Sequence, residues 1–118
     1  MQSGRKSGIE LAVMSERNVD EIWANASVVT GYSPDKWRKD FAGAWIQRDQ
    51  FGLSSEYGWD VCHLIPVSHG GTNDLDNLCA IHWENHRRKS NQFPVFKTAV
   101  TAEGDKNIHE ERIWRIGK

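Results

Sequence analysis

A segment of ten residues near the middle of the chain consists almost entirely of residues that form turns. It runs from Ser68 to Asn77 and reads SHGGTNDLDN, in which Gly, Ser, Asn and Asp favour turns over helices and strands. An irregular loop of this length in a small domain is usually functional. Short apolar runs lie on both sides of the segment, so it must separate two secondary-structure elements rather than belong to one.

The residues on either side of this loop predict a strand before it, and a strand followed by a helix after it. The first apolar run begins at Trp59 and is closed by Pro66, and the second covers residues 78–81. The second run leads directly into HWENHRRKS, whose apolar spacing predicts a helix that ends near Asn91. The predicted order is therefore strand, loop, strand and helix, over about residues 58–92.

The segment that precedes this core predicts two helices. Asn18 and Glu21 form a capping-box pattern, and apolar residues then recur at helical spacing until Gly31. Ser33-Pro34 is typical of a cap followed by the first helical residue, so we expect a second, short helix that ends before Gly43.

The remaining segments predict strands and one mobile arm. Residues 95–102 and 108–116 flank the turn-rich EGDKN and predict a C-terminal β-hairpin, and residues 44–49 predict a short strand. Residues 1–14 have no periodicity, so we expect a flexible N-terminal arm before a single domain over 15–118. These elements together predict an α+β fold.

Length and composition exclude several classes of protein. A chain of 118 residues makes one domain, large enough to bury a core without metals or disulfides as staples. Its longest apolar runs have four residues, whereas a membrane helix needs about twenty. We therefore expect no membrane segment, no signal peptide and a cytoplasmic location. The two cysteines cannot form a disulfide framework, and the six tryptophans predict a compact core with aromatic anchors.

The net charge of −1 conceals two neighbouring segments of opposite sign. Residues 56–83 contain four acids and no Lys or Arg, whereas residues 84–97 contain four bases and one acid. This arrangement suits a loop that attracts a cation beside a helix that meets phosphate groups. A nucleic-acid partner would then be bound locally, with modest affinity that salt weakens steeply.

Three polar residues that are candidates for catalysis or metal binding lie in and around the central loop. They are His63, Asn77 and His86, which are fourteen and nine residues apart, within the stretch WDVCHLIPVSHGGTNDLDNLCAIHWENHRRKS. This stretch resembles the HNH, or ββα-metal (His-Me finger), nuclease motif, and its loop LIPVSHGGTNDLDNL is similar to the family's loop nearly letter for letter. With RKDFAGAWI and SEYGW upstream, the resemblance covers about residues 31–102 and points to a small stand-alone branch.

The resemblance implies a ββα-metal core and a metal-dependent DNA endonuclease. Hydrolysis of a phosphodiester needs a nucleophilic water, a cation on the phosphate and stabilisation of the leaving alkoxide. Histidine titrates near neutral pH, so His63 is the natural general base. The amide of Asn77 both donates and accepts, and we expect it to pin the backbone around His63. His86 would bind the metal from the helix.

The chain departs from the family at Cys62, where the usual residue is an Asp that binds the metal directly. Three alternatives stay open. The thiolate of Cys62 binds a late transition metal such as zinc, or Asp60 on the same strand face binds the ion instead. In the third alternative the site has lost its metal. The implied cofactor is one divalent ion, with Zn, Ni, Mn and Mg as candidates.

The implied partner is double-stranded DNA. We expect Arg87, Arg88 and Lys89 to meet its phosphates, with weak sequence specificity because backbone contacts position without specifying. Two alternatives remain: a nuclease-derived domain that binds nucleic acid or a protein without cutting, and a toxin nuclease domain with an immunity or regulatory partner. His82 shares a helix face with His86, and we expect it to cap or pack.

Overall fold

The computed structural model describes residues 16–117, so the arm expected over residues 1–14 lies outside the described part. The described residues form two α-helices, three short 3-10 helices and three two-stranded antiparallel sheets, which confirms the predicted α+β class. Within residues 16–117, no helix has the length and apolar character that crossing a membrane requires.

The first helix, α1 (Glu16–Trp23), buries its apolar face in the main core. It begins before Asn18, so this residue is not a cap, and it ends well before Gly31, where the sequence predicted its end. Just beyond the helix, the guanidinium of Arg38 donates to two backbone carbonyls at 3.1 Å each. These carbonyls belong to Ala24 and Ala26.

The prediction of a second helix after Ser33-Pro34 is wrong, because residues 37–39 form a strand. Strand β1 (Trp37–Lys39) pairs with β2 (Trp45–Gln47), which lies within the strand predicted over residues 44–49. The side chain of Asp40 closes the turn between them by accepting hydrogen bonds from two backbone amides, at 3.0 and 2.9 Å. These are the amides of Ala42 and Ala44.

The central elements follow the order that the sequence predicts. Strand β3 (Trp59–His63) pairs antiparallel with β4 (Leu78–His82), and the turn-forming loop joins them. Helix α2 (Trp83–Lys89) continues directly from β4. His82 begins this helix as its cap, since Nδ1 accepts a hydrogen bond from the backbone N–H of Glu84 at 3.1 Å.

The two faces of the β3–β4 pair have different surroundings. One face lies in the main core against α1, because successive residues of a strand point to opposite sides. It consists of Trp59, Val61, Leu78 and Ala80. The other face carries Asp60, Cys62 and Cys79, and α2 packs over it through His86. Of the polar residues that the sequence singled out, this second face holds Asp60 and Cys62, whereas strand alternation places His63 on the side of Trp59 and Val61.

The last sheet supports α2 and reaches back to β2. Strand β5 (Val95–Glu103) pairs antiparallel with β6 (Lys106–Arg115). Beyond the turn between them, the side chain of Asn107 accepts from the backbone N–H of Trp45 at 2.7 Å and donates to its carbonyl at 3.0 Å. This pair of hydrogen bonds fixes the end of the sheet against β2.

Candidate active site

His63 ends strand β3, and its side chain is oriented by the loop that follows. Its Nε2 lies 2.7 Å from Oδ1 of Asn73, and the ring is half-buried. An amide oxygen only accepts hydrogen bonds, so Nε2 is the donor in this contact. The sequence did not single out Asn73, because nothing distinguishes it from the other turn-forming residues around it.

Asn77 holds the start of the loop in place. Its Oδ1 accepts from the backbone N–H of Ile65 at 2.9 Å, and its Nδ2 donates to the carbonyls of Ile65 and Thr72 at 3.1 and 2.8 Å. Gly71 lies against the same carbonyl of Ile65, where any Cβ would collide with it. The buried amide therefore fixes the backbone two residues beyond His63.

Asp60 and His86 meet beneath helix α2. Oδ2 of Asp60 lies 3.2 Å from Nδ1 of His86, with exposed side-chain fractions of 1% and 24%. Asp60 comes from the middle of β3 and His86 from the second turn of α2, so the contact joins the strand to the helix. Of the donor residues that the sequence proposed, the structure places these two in contact.

Cys62 lies next to Asp60 on the same strand face but is directed at a second thiol. It is 1% exposed and sits directly opposite Cys79 in the β3–β4 ladder. A hydrogen bond to Cys62, followed by burial, raises the pKa of the Cys79 thiol well above its ordinary value. The Sγ of Cys62 also lies 3.4 Å from the carbonyl oxygen of His63. Cys79 is therefore a protonated thiol at neutral pH.

The side chains that could donate to a metal ion form only part of a coordination site. Among residues 16–117, no group of three or more His, Cys, Asp and Glu side chains is gathered closely enough to hold an ion. The contact between Asp60 and His86 supplies one carboxylate oxygen and one imidazole nitrogen, which suit divalent ions from Mg²⁺ to Zn²⁺. A site built on this pair would need water or substrate to complete its coordination.

The three basic residues of α2 lie in different environments. Arg87 is exposed and its guanidinium lies 5.6 Å from the centroid of the Trp83 ring, whereas Arg88 donates to the carboxylate of Glu111. Lys89 is 1% exposed, and its Nζ donates to the carbonyl of His63 at 3.2 Å.

The burial of Lys89 differs from the solvent-facing position that the sequence suggested. Lys89 follows His86 by three residues, so both side chains lie on the helix face that packs on the sheet. The ammonium group also lies 4.9 Å from the centroid of the Phe96 ring of β5. Lys89 therefore ties α2 to the end of β3 instead of forming part of a surface patch.

A buried polar network that the sequence did not indicate holds α2 in position. Oδ2 of Asp40 accepts from the backbone N–H of His82 at 2.9 Å and from Nδ2 of Asn85 at 3.0 Å. Asn85 also bonds β5, since its Oδ1 accepts from the amides of Ala99 and Val100 at 2.7 Å each. Burial raises the pKa of Asp40, although these hydrogen bonds oppose the shift. This network fixes the residue immediately before His86.

A protein-family model matches part of this site. The model of the HNH endonuclease family matches residues 49–92, a narrower span than the 31–102 over which the sequence resembles it. The matched segment contains β3, the loop, β4 and α2. The chain has no significant match among curated proteins or among solved structures.

Proposed function

The chain carries an HNH endonuclease domain in residues 49–92, and from this premise we propose that the protein is a metal-dependent endonuclease that hydrolyses DNA. The observation that carries the proposal is the contact between Asp60 and His86, on the strand that ends at His63. A carboxylate from the strand of the candidate base and an imidazole from the helix packed on that strand thus meet, and the two groups are able to hold a cation. This contact supports the ββα-metal core that the sequence predicts.

In this proposal His63 is the general base. With Nε2 donating to Asn73, the lone pair on Nδ1 is the one that takes a proton from the attacking water. A positioned general base contributes about 10² to 10⁴ in rate. The amide of Asn77 keeps the backbone beyond His63 fixed, and the ammonium of Lys89 fixes its carbonyl. These contacts limit the movement of the imidazole relative to the scissile phosphate.

Asp60 and His86 would hold the divalent ion, with Cys62 available on the same strand face. Such an ion, when bound, stabilises the charge that develops on the phosphate and on the leaving oxygen. The carboxylate of Asp60 is 1% exposed and lies beside the imidazole of His86, and carboxylate and imidazole groups are both common ligands of divalent ions. Among the three alternatives for Cys62, the contact between Asp60 and His86 favours the one in which Asp60 is the ligand.

DNA would be contacted chiefly through its backbone. Arg87 is the exposed base of α2, and its planar guanidinium can form a bidentate pair with phosphate. Arg88 would have to exchange its hydrogen bonds with Glu111 for such a contact. Backbone contacts position a duplex without reading its sequence, so we expect weak sequence specificity.

The proposal is tested by incubating the purified protein with supercoiled plasmid and Mg²⁺, Mn²⁺, Ni²⁺ or Zn²⁺. At least one metal should support nicking, EDTA should stop it, and the nicks should carry 5′ phosphates that a ligase reseals without a kinase. The matched control is His109→Ala, which removes an exposed histidine 75% accessible to solvent, and it should leave nicking unchanged. Nicking that persists in EDTA would contradict the proposed metal dependence.

A second candidate is a nuclease-derived domain that binds nucleic acid or a protein without cutting. The observation that favours it is the thiol of Cys62, which lies opposite Cys79 where the family usually places a metal-binding Asp. If the natural protein is inactive with every metal and Cys62→Asp creates activity, this second function replaces the first. The toxin interpretation with an immunity partner stays a prediction from the sequence.

A further inference from the structure

A cavity of about 210 Å³ is lined by four aromatic side chains and one carboxylate. It shares no residue with the candidate active site, and it uses two of the tryptophans that the sequence assigned to the core. The lining residues are Tyr32, Trp37, Trp45, Tyr57 and Asp105. A cavity of this size is smaller than the usual site for a drug-sized ligand, so its occupant must be a small group.

The aromatic rings of this cavity meet at steep angles and do not form a flat stack. The ring of Trp37 is inclined by 88° to that of Trp45 and by 84° to that of Tyr57, with centroids 6.1 and 4.9 Å apart. The ring of Tyr32 lies against that of Trp45, with centroids 4.7 Å apart and ring planes inclined by 56°. The rings therefore pack against one another at steep angles, and together they line the opening.

The cavity is preorganised by hydrogen bonds from the β5–β6 turn. Trp45 is 3% exposed, and its indole Nε1 donates to the carbonyl of Gly104 at 3.0 Å. The paired hydrogen bonds of Asn107 hold the backbone of the same tryptophan. These contacts keep the turn, and with it Asp105, at the edge of the cavity. A preorganised site loses little affinity to ordering on binding.

The electrostatic environment favours a cation. Burial, the charge of Glu56 and its hydrogen bond, and the charge of Asp105 together raise the pKa of Tyr57. Two carboxylates therefore act on one wall of the cavity, and no Lys or Arg is among its lining residues. The ammonium of Lys39 already lies 4.8 Å from the centroid of the Trp45 ring, so a cation that used this ring would have to replace that contact.

We propose that this cavity binds a methylated ammonium group. Such a group spreads its positive charge over methyl surfaces, so it packs against aromatic walls while the ring faces and Asp105 complement its charge. A nucleotide fits the same rings less well, because its phosphate would meet the carboxylate of Asp105. The proposal does not depend on the nuclease activity.

The test is titration of the intact protein with choline, tetramethylammonium and Nε-trimethyl-lysine, followed by tryptophan fluorescence or NMR. The control ligand is 3,3-dimethylbutan-1-ol, which has the shape of choline without its charge. Saturable binding of the cations, about tenfold tighter than that of the neutral alcohol, is expected. The order of affinity among the three cations identifies the natural source. Equal binding of the alcohol, no saturable binding of any cation, or tighter binding of AMP would overturn the proposal.

Substitutions of lining residues test whether the cations bind in this cavity. Tyr32→Ala removes a wall that is 42% exposed and should weaken choline binding about tenfold, and Asp105→Asn should weaken it several-fold. Glu103→Gln changes an exposed carboxylate of the same sheet outside the cavity and should have no effect. Asp105→Asn keeps a turn-forming residue, so it reports on charge even if Tyr32→Ala unfolds. Unchanged affinity in a folded Asp105→Asn would contradict the assigned role of the carboxylate.

Discussion

Asn85 should contribute more to stability than any other polar residue of α2. Its side chain is fully buried and makes four hydrogen bonds, to Asp40 and to three backbone groups of β5. The change Asn85→Ala leaves the buried N–H and carbonyl of Val100 and the half-buried N–H of Ala99 without these partners. A buried polar group left unsatisfied costs about 1–3 kcal/mol, and an ordinary hydrogen bond about 1 kcal/mol.

These contributions sum to a loss of about 3–5 kcal/mol in the free energy of unfolding for Asn85→Ala. In a domain of this size the loss corresponds to a melting temperature lower by about 10–25 °C. Urea unfolding followed by circular dichroism measures the free energy. The matched control is Asn91→Ala, an exposed residue just beyond α2, which should change stability by less than about 0.5 kcal/mol. A loss below about 1 kcal/mol for Asn85→Ala would refute the reasoning.

Three further predictions concern the metal, the DNA contacts and the buried carboxylate. Asp60→Asn should weaken Mn²⁺ binding at least about tenfold in a calorimetric titration, whereas the exposed Asp76→Asn should not; equal affinities would exclude Asp60 as a ligand. Arg87→Ala should reduce the slope of log affinity for DNA against log salt by about one, and an unchanged slope would remove Arg87 from the interface. Burial raises the folded pKa of Asp40 above 3.8, so its stabilising contribution is full below that pH and is lost as the pH rises through the raised value. Urea unfolding over this window should show wild type losing stability relative to Asp40→Asn as the pH rises; a constant difference would contradict the shift.

The order of elements in residues 58–92 could be predicted because each signal there is local. The turn-forming loop excludes helix and strand by its own composition, and the runs beside it are too short to be anything but strands. The cap of α2 at His82 was also foreseen, because it depends on residues in sequence contact. Here local propensity and the final fold agree.

The sequence was least informative where contacts between distant residues decide the local structure. The helix expected after Ser33-Pro34 gives way to β1 because Asp40 closes a tight turn and β2 pairs with the strand. The inward position of Lys89 depends on the packing of α2 over β3 and β5, which no local pattern reports. Asn85 and Asp40 meet across 45 positions of sequence, so their network was invisible in a single sequence.

The central claim is that His63 activates water in a metal-dependent nuclease, and the rate of plasmid nicking by His63→Ala tests it most directly. Wild type and variant are purified identically and compared under single-turnover conditions in the metal that best supports nicking. Removal of a general base should lower the rate by about 10² to 10⁴, with the thermal stability of the variant unchanged. A folded His63→Ala protein that nicks within about threefold of the wild-type rate would contradict the claim.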